Sequence, residues 1–321
     1  VLDHPRIALR AIGERPCQGA LWQELRLPGA AHSDRLDVFF SPAYSCPLRL
    51  RVPRVTAVHD LSFFSWPQDF AWLDAARRRL LTGASIGASA RIVTISDFSR
   101  REILARFPDA TSRVVAIPVG CDDDLPAPPS REEALGRLAA PGPCVLAVGS
   151  ILSRRRLPTL LDALRLLRRL EPAPLLDVVG ENRTHPRLEL PALVAARGLG
   201  SRVRLAGFVS EARLADHYAA ADAFVFLSEY EGFGLPVLEA MARGVAVVTS
   251  ARPATGEIFG DAALLVDPAD PVAIAAALRS ILEDRARRDD LVARGRRLAS
   301  RFSWKDAAAR TMDALRGAAA S

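Results

Sequence analysis

A chain of 321 residues, half of them hydrophobic, has the length for two domains and the apolar content for two cores. No run of about 18 uncharged apolar residues occurs, which excludes a spanning helix, and the net charge of +6 is spread along the chain (16 Arg against 14 acids up to residue 125, 27 basic against 23 acidic beyond it), so the basic stripe of a nucleic-acid binder is missing. Cys17, Cys46, Cys121 and Cys144 are scattered without Cys-x-x-Cys spacing, which argues against a structural metal or a disulfide framework and fits a reducing cytoplasm.

Strands and helices alternate from the start. Asp37–Phe40 reads as a short strand closed by Ser41-Pro42, and Val55–Val58 as a second one ending in His59-Asp60. The pattern predicts a helix over Phe70–Thr82 carrying Arg77, Arg78 and Arg79, a strand over Arg91–Ile95, a helix over Ser96–Phe107 with Ser99 and Glu102 as its capping box, and a strand over Val114–Ile117. Asp122-Asp123-Asp124 followed by Pro126, Pro128 and Pro129, then Pro141-Gly142-Pro143, marks an interdomain connection with one short helix, Arg131–Leu138, inside it. The pattern then restarts, with strands over Cys144–Val148, Leu175–Val179, Val203–Ala206, Ala223–Leu227 and Val245–Thr249. Helices are predicted over Leu157–Leu170, Leu188–Arg197, Ala212–Ala220, Asp270–Glu283, Arg285–Arg301 and Trp304–Leu315. Such alternation argues for parallel sheets with helices on both faces.

The segment Ser228 to Met241 concentrates the chemistry. Glu231 and Glu239 bracket a Gly-Phe-Gly loop that follows a buried strand and enters a helix at Pro236. Glycine lets a ligand approach the backbone, proline suits a first helical turn, and the exposed N–H groups there favour an anion such as phosphate. Read alone, the loop is also compatible with an ordinary turn, and a first-turn Glu with simple complementation of the helix dipole. Ligands of open parallel sheets sit outside the carboxyl ends of the strands. His59-Asp60, Gly149-Ser150, Gly207-Phe208 and Glu231–Gly234 all fall there, which points to one site shared by two domains.

The string Glu231-Gly-Phe-Gly-Leu-Pro-Val-Leu-Glu239 resembles the donor-site motif of retaining glycosyltransferases of family 4. Asp37–Tyr44, Val58–Ser62, Thr94–Glu102, Val148–Leu157, Gly260–Pro268 and Phe302-Ser-Trp304 are similar to the same family; Ala246 departs from it, standing where proline is frequent. The resemblance implies an α/β GT-B fold of two Rossmann-like domains whose parallel sheets face a cleft: residues 1–122 on the acceptor side, completed by a C-terminal helix over 304–321, and residues 123–303 for the donor. It implies a retaining, metal-independent hexosyltransferase. The donor it implies is a GDP-, UDP- or dTDP-linked sugar, mannose-like by expectation, and the acceptor it implies is a lipid-linked saccharide or surface polysaccharide of the cell envelope. The resemblance assigns the catalytic roles to Glu231 and His59. It implies that Gly149, Ser150, Arg154, Arg155, Val209, Gly232, Phe233, Gly234, Leu235 and Glu239 hold the donor, with Arg155, beside Arg154, on the diphosphate and Glu239 on the ribose hydroxyls. The alternative for Arg154–Arg156 is a solvated basic face.

The resemblance begins inside the family's first domain, so a missing first strand and loop is expected. An inactive nucleotide-sugar-binding scaffold is one rival; a sucrose- or trehalose-type synthase with a small sugar acceptor is another. The Phe70–Leu81 stretch, with Trp72 and Arg77–Arg79, adds an expectation of peripheral contact with the cytoplasmic membrane face, against a helix packed on the sheet with a basic solvent side.

Overall fold

The computed structural model describes residues 20–121, 129–140 and 142–320. Cys17, Asp122–Asp124, Pro126, Pro128 and Pro141, and with them the expected junction between the domains, lie outside the described residues. Contacts divide the chain into two units, one holding residues through His59, Ala76–Ile117 and those from Ala309 onward, the other Asp60–Ala75 and Pro118–Ala308. Residues 60–75, which the sequence reading places in the first domain, therefore pack with the second unit.

In the first half of the chain α1 (Ala20–Ser33) leads to β1 (Phe39–Ser41), β2 (Arg54–Ala57), α2 (Ser62–Ser65), α3 (Trp72–Ala88), β3 (Arg91–Thr94), α4 (Asp97–Arg106) and β4 (Val114–Ala116). The four strands form one parallel sheet in the order β1-β2-β3-β4. Ile92 in its centre is fully buried, as expected for a parallel sheet covered on both faces.

The remaining elements are α5 (Arg131–Leu138), β5 (Cys144–Val148), α6 (Leu157–Leu166), β6 (Leu175–Val179), α7 (Leu190–Ala195), β7 (Val203–Gly207), α8 (Glu211–Ala220), β8 (Ala223–Phe226), α9 (Leu235–Ala242), β9 (Ala246–Ser250), α10 (Pro253–Phe259), β10 (Leu264–Val266), α11 (Pro271–Glu283), α12 (Arg285–Ala299) and α13 (Trp304–Ala319). Their six parallel strands run in the order β10-β9-β8-β5-β6-β7. Successive strands build outward from β5 to β7; the chain then returns to place β8 on the other side of β5, so the direction of winding reverses between β5 and β8. Every residue of β8 and β9 is buried. Leu161, Leu164, Leu176, Val225, Val248 and Leu278 fill the core between this sheet and its helices.

Several expected boundaries move. The cap of α4 is Ser96, whose hydroxyl accepts from the amide of Ser99; Ser99 is thus inside the first turn rather than at the cap. The capping box occurs instead at Ser130 and Glu133, opening α5. α6 stops at Leu166, short of Leu170. α3 continues through Gly83 to Ala88, beyond Thr82. α1 and α10 are additional helices, α1 with Pro28 inside it. Ala246, the departure noted in the sequence, simply opens β9 and is buried.

Cys144, at the head of β5, is 2 % exposed, and its amide donates to Asp222 Oδ2 at 2.9 Å. Burial, aided by the Asp177 and Asp222 carboxylates, pushes its thiol up to about 11 from an ordinary value of 9.0. The neutral thiol is favoured in the folded state, so its contribution to stability is whole below pH 9 and is lost as pH rises through about 11. Iodoacetamide at pH 8 should spare Cys144 in the native protein and modify it in urea. The urea midpoint of the native protein should fall across the alkaline window, and less steeply for Cys144→Ala; equal slopes would show that this thiol is not the titrating group.

Candidate functional site

Where a parallel sheet reverses its winding, the loops leaving two neighbouring strands diverge and leave a crevice outside their carboxyl ends. Here those strands are β5 and β8, and the loops are Gly149–Arg156 and Leu227–Gly234. Gly149 has φ +117°, and a β-carbon on it would collide with the Arg155 guanidinium, so the turn after β5 is closed to other residues. A 3-10 turn over Ser153–Arg155 then presents three consecutive arginines to the loop after β8.

Each arginine has a different partner. Arg154, a tenth exposed, donates from Nη1 to Asp69 Oδ2 at 2.7 Å and from Nε to the Tyr230 carbonyl at 3.0 Å, with Glu231 Oε1 3.9 Å away. Burial opposes its charge, but Glu231 and Asp69 outweigh burial and hold its pKa above the ordinary value. Arg155 donates from Nε to Glu231 Oε1 at 3.3 Å and from Nη1 to the Ser150 carbonyl at 3.1 Å, and its guanidinium lies 4.7 Å from the Phe226 ring centroid. Arg156 donates to Glu229 Oε1 at 2.6 Å, while Arg252 takes Glu229 Oε2 at 2.8 Å. The solvated basic face considered for this run is therefore not what forms.

Glu231 is half-buried and also accepts from Ser228 Oγ at 2.9 Å. That hydroxyl stands 3.0 Å from the Tyr230 carbonyl as well, so its one proton is shared between two acceptors. Ser250 Oγ in turn donates to the Ser228 carbonyl at 2.6 Å. Gly234 caps α9 with φ +106°, its Cβ position 3.0 Å from Phe259, and Pro236 occupies the first turn. Phe233 turns inward, edge-on to Phe259 and Phe302. What the Gly-Phe-Gly loop offers a ligand is thus backbone at the positive end of α9. Glu239, one turn into α9 and half-buried, accepts from Tyr218 Oη at 3.2 Å. Burial first, and the Glu239 charge next, raise the Tyr218 phenol well above its usual range, so it stays a donor to that carboxylate.

Beyond β6 and β7 a cavity of about 400 Å³ is lined by Ile151, Gly180, Glu181, Asn182, Arg187 and Gly207 among others. Val209 follows closely, after Phe208, which is 83 % exposed. In the first unit His59 stands two residues beyond β2; its ring meets Tyr44 edge-on at 5.5 Å and its carbonyl accepts from Thr94 Oγ1 at 3.5 Å. In the second unit Gly149, Ser150, Arg154, Arg155 and Glu231 are brought together by direct contacts beside the Gly232–Leu235 loop that opens α9, while Glu239 contacts Tyr218. Ser228, Tyr230 and Asp69 were not anticipated. Ser228 stands at a strand end in plain view, whereas Asp69 lies 85 residues from its partner with no local signal. An arginine fork beside a helix N-terminus, with a carboxylate at two depths, suits a ligand carrying both a negative charge and hydroxyl groups.

A family profile described as "Glycosyl transferases group 1" matches residues 132–298, and one described as "Glycosyltransferase Family 4" matches residues 3–125. The O-antigen chain mannosyltransferase B of Escherichia coli is 34 % identical over 284 residues, covering 87 % of this chain and 74 % of that protein. The D-inositol 3-phosphate glycosyltransferase of Kineococcus radiotolerans is 36 % identical over 257 residues, 73 % of this chain but 58 % of its own length, so the chain spans little more than half of that relative. Among solved structures, the sucrose-phosphate synthase of Thermosynechococcus elongatus superposes with a TM-score of 0.77 at 25 % identity, over 92 % of this chain and 77 % of that one.

Because Ser228 Oγ is buried and serves both a carbonyl and a carboxylate, Ser228→Ala should cost about 1–3 kcal/mol of unfolding free energy. Urea titration measures this; a cost near zero would mean that the Glu231 loop does not depend on the hydroxyl.

Proposed function

Since the chain belongs to the group 1 glycosyltransferases and has their GT-B architecture of Rossmann-like units, we propose that it moves a hexose, mannose by first preference, from a nucleotide sugar to a lipid-linked saccharide or surface polysaccharide, with retention of configuration and without a metal. The observation that supports this reading is the β5/β8 reversal, where Arg155 meets Glu231 beside the loop that opens α9. Arg155 and the α9 amides take the diphosphate, replacing Arg155's present contact with the Ser150 carbonyl. Glu239 accepts from the ribose hydroxyls and Glu231 from the sugar ring. The cavity beside Gly180 and Gly207 is of the size a base needs. Gly149, Ser150 and Val209 line the donor with backbone.

In the proposed step the bond between the anomeric carbon and the phosphate oxygen breaks while the acceptor oxygen bonds to the same face of that carbon. The acceptor proton passes to the departing phosphate, leaving glycoside and nucleoside diphosphate. The developing charge on the phosphate is met by the Arg155 fork and the helix terminus, which are in place before the reaction. His59 takes part in transfer and not in nucleotide binding. The mannosyl preference is supported by the name of the relative that covers 87 % of the chain. The likeness to a sucrose-phosphate synthase keeps a small phosphorylated sugar acceptor as the second reading.

Thermal unfolding with GDP, UDP, ADP and dTDP, and their sugar conjugates, tests the donor site. One nucleotide family at about 100 times its dissociation constant should add about 2.7 kcal/mol, and Glu239→Ala or Arg155→Ala should abolish most of that gain. His59→Ala should keep the nucleotide shift and lower transfer by roughly 10²-fold, and EDTA should leave the rate unchanged. Lipid-linked and free phosphorylated sugars, offered side by side, separate the two acceptor readings. No shift with any nucleotide would overturn the proposal, and binding without turnover on either acceptor class would leave the scaffold reading.

No helix among the described residues is long and apolar enough to cross a membrane. A surface contact is proposed instead: along α3, Trp72, Leu73 and Leu80 are 76 %, 63 % and 73 % exposed, and Arg77–Arg79 stand between them. Apolar side chains beside a basic cluster match the interface of an anionic leaflet. Co-sedimentation should be strong with phosphatidylglycerol vesicles and weak with phosphatidylcholine vesicles, and Trp72→Ser with Leu80→Ser should reduce it about tenfold or more. Equal binding to both vesicle types, or a solution dimer that these substitutions dissolve, would refute it.

A further inference from the structure

We infer that Asp69 is a positioning residue for the Glu231 loop, acting through Arg154, and that Arg154 is a strut of that loop and not a ligand of the donor phosphate. The chemistry assigned to the loop rests on the function proposed above; the strut does not.

Asp69 ends a 3-10 turn over Pro67–Asp69, and its side chain is 2 % exposed. Oδ2 accepts from Arg154 Nη1 at 2.7 Å, while Oδ1 is buried without a hydrogen-bond partner among the described residues, so Arg154 supplies the ionic compensation for this carboxylate. Arg154 is itself a tenth exposed and spends Nε on the Tyr230 carbonyl at 3.0 Å; its own carbonyl accepts from the Glu229 amide at 3.0 Å. The same segment touches the loop a second time, where the Leu61 amide donates to Tyr230 Oη at 3.0 Å. Residues 60–75 thus hold residues 229–231 at two points, one charged and one neutral.

The consequence concerns Glu231. Arg154 sits between two carboxylates and gives the short bond to Asp69, leaving Glu231 Oε1 at 3.9 Å. With Asp69 neutral, the guanidinium faces Glu231 alone and draws it away from Ser228 and Arg155. Asp69 therefore keeps Glu231 where a sugar hydroxyl can reach it. A phosphate, for its part, could reach Arg154 Nη1 only by breaking the 2.7 Å Asp69 bond inside the protein, whereas Arg155 is held by longer contacts, 3.3 Å to Glu231 and 3.1 Å to the Ser150 carbonyl, and is the cation that exchanges them more readily for an anion.

The test is a cycle of Asp69→Asn, Arg154→Gln and the double variant in the full chain, with two readouts. The first needs no ligand. Amide hydrogen exchange over residues 228–234 should speed up about tenfold or more in each single variant, and no further in the double. The second uses the nucleotide found to bind. Each variant should keep its dissociation constant for the nucleoside diphosphate within about twofold while kcat for transfer falls about 10–100-fold, as expected for a displaced catalytic group, and the double should fall no further than the worse single. Unchanged exchange in Asp69→Asn, additive losses in the double, or a weakened diphosphate affinity in Arg154→Gln would each overturn the inference. If exchange responds as expected but the native protein binds no nucleotide, the strut stands and the proposed function fails. Should Asp69→Asn not fold, Arg154→Lys replaces it, keeping the charge but losing the planar fork that spans Tyr230 and Asp69; native-like exchange in that variant would overturn the inference equally.

Discussion

The reversal of winding between β5 and β8 is the constraint on which the rest of the second unit depends. It fixes where two loops must part, and it does so with apolar strands, β8 wholly buried and β5 buried over Cys144–Leu146. β5 and β8 carry apolar residues throughout, as strands covered on both faces do, so polar function is displaced to the first residues beyond their carboxyl ends. Gly149, Ser150, Ser228 and Glu231 stand at that boundary. Apolar strands thus border polar loops, and an electrostatic contact near a low-dielectric interior has a larger effect than one in water.

The rim is held by alternating charge. On one side Arg252 and Arg156 share Glu229; on the other Arg154 and Arg155 flank Glu231, with Asp69 closing the row. Each carboxylate of the loop after β8 is thereby tied to the loop after β5, and the two loops behave as one frame. Buried ion pairs of this kind contribute little net stability, since desolvation offsets attraction, but loss of one partner is costly. Their effect is to permit a single arrangement of the frame. The α9 terminus adds a fixed dipole to this frame without adding a charge that would need a partner.

Much of the frame was legible because its parts are local. The Gly-Phe-Gly-Leu-Pro run and its two Glu are contiguous, and the Arg131–Leu138 helix announces itself with Ser130 and Glu133. What stayed hidden is set by tertiary contact. Three consecutive arginines cannot reveal that they face Asp69, Glu231 and Glu229 in turn. Ser99-x-x-Glu102 has the composition of a capping box, yet Ser96 reaches the position first and Ser99 is drawn inside the helix. Pro28 conceals a helix that continues through it.

The sequence order and the contact order of this chain disagree. The backbone passes between the units at His59–Asp60, Ala75–Ala76, Ile117–Pro118 and Ala308–Ala309. No single cut can then release either unit whole, and a donor-side fragment beginning after residue 122 would carry Arg154 into its interior without Asp69. Chimeras that exchange donor halves between relatives face the same difficulty: the piece to be transplanted is discontinuous, and residues 60–75 belong in it although more than forty residues separate them from the rest. Modular recombination at the linker alone would join halves whose charges were never matched.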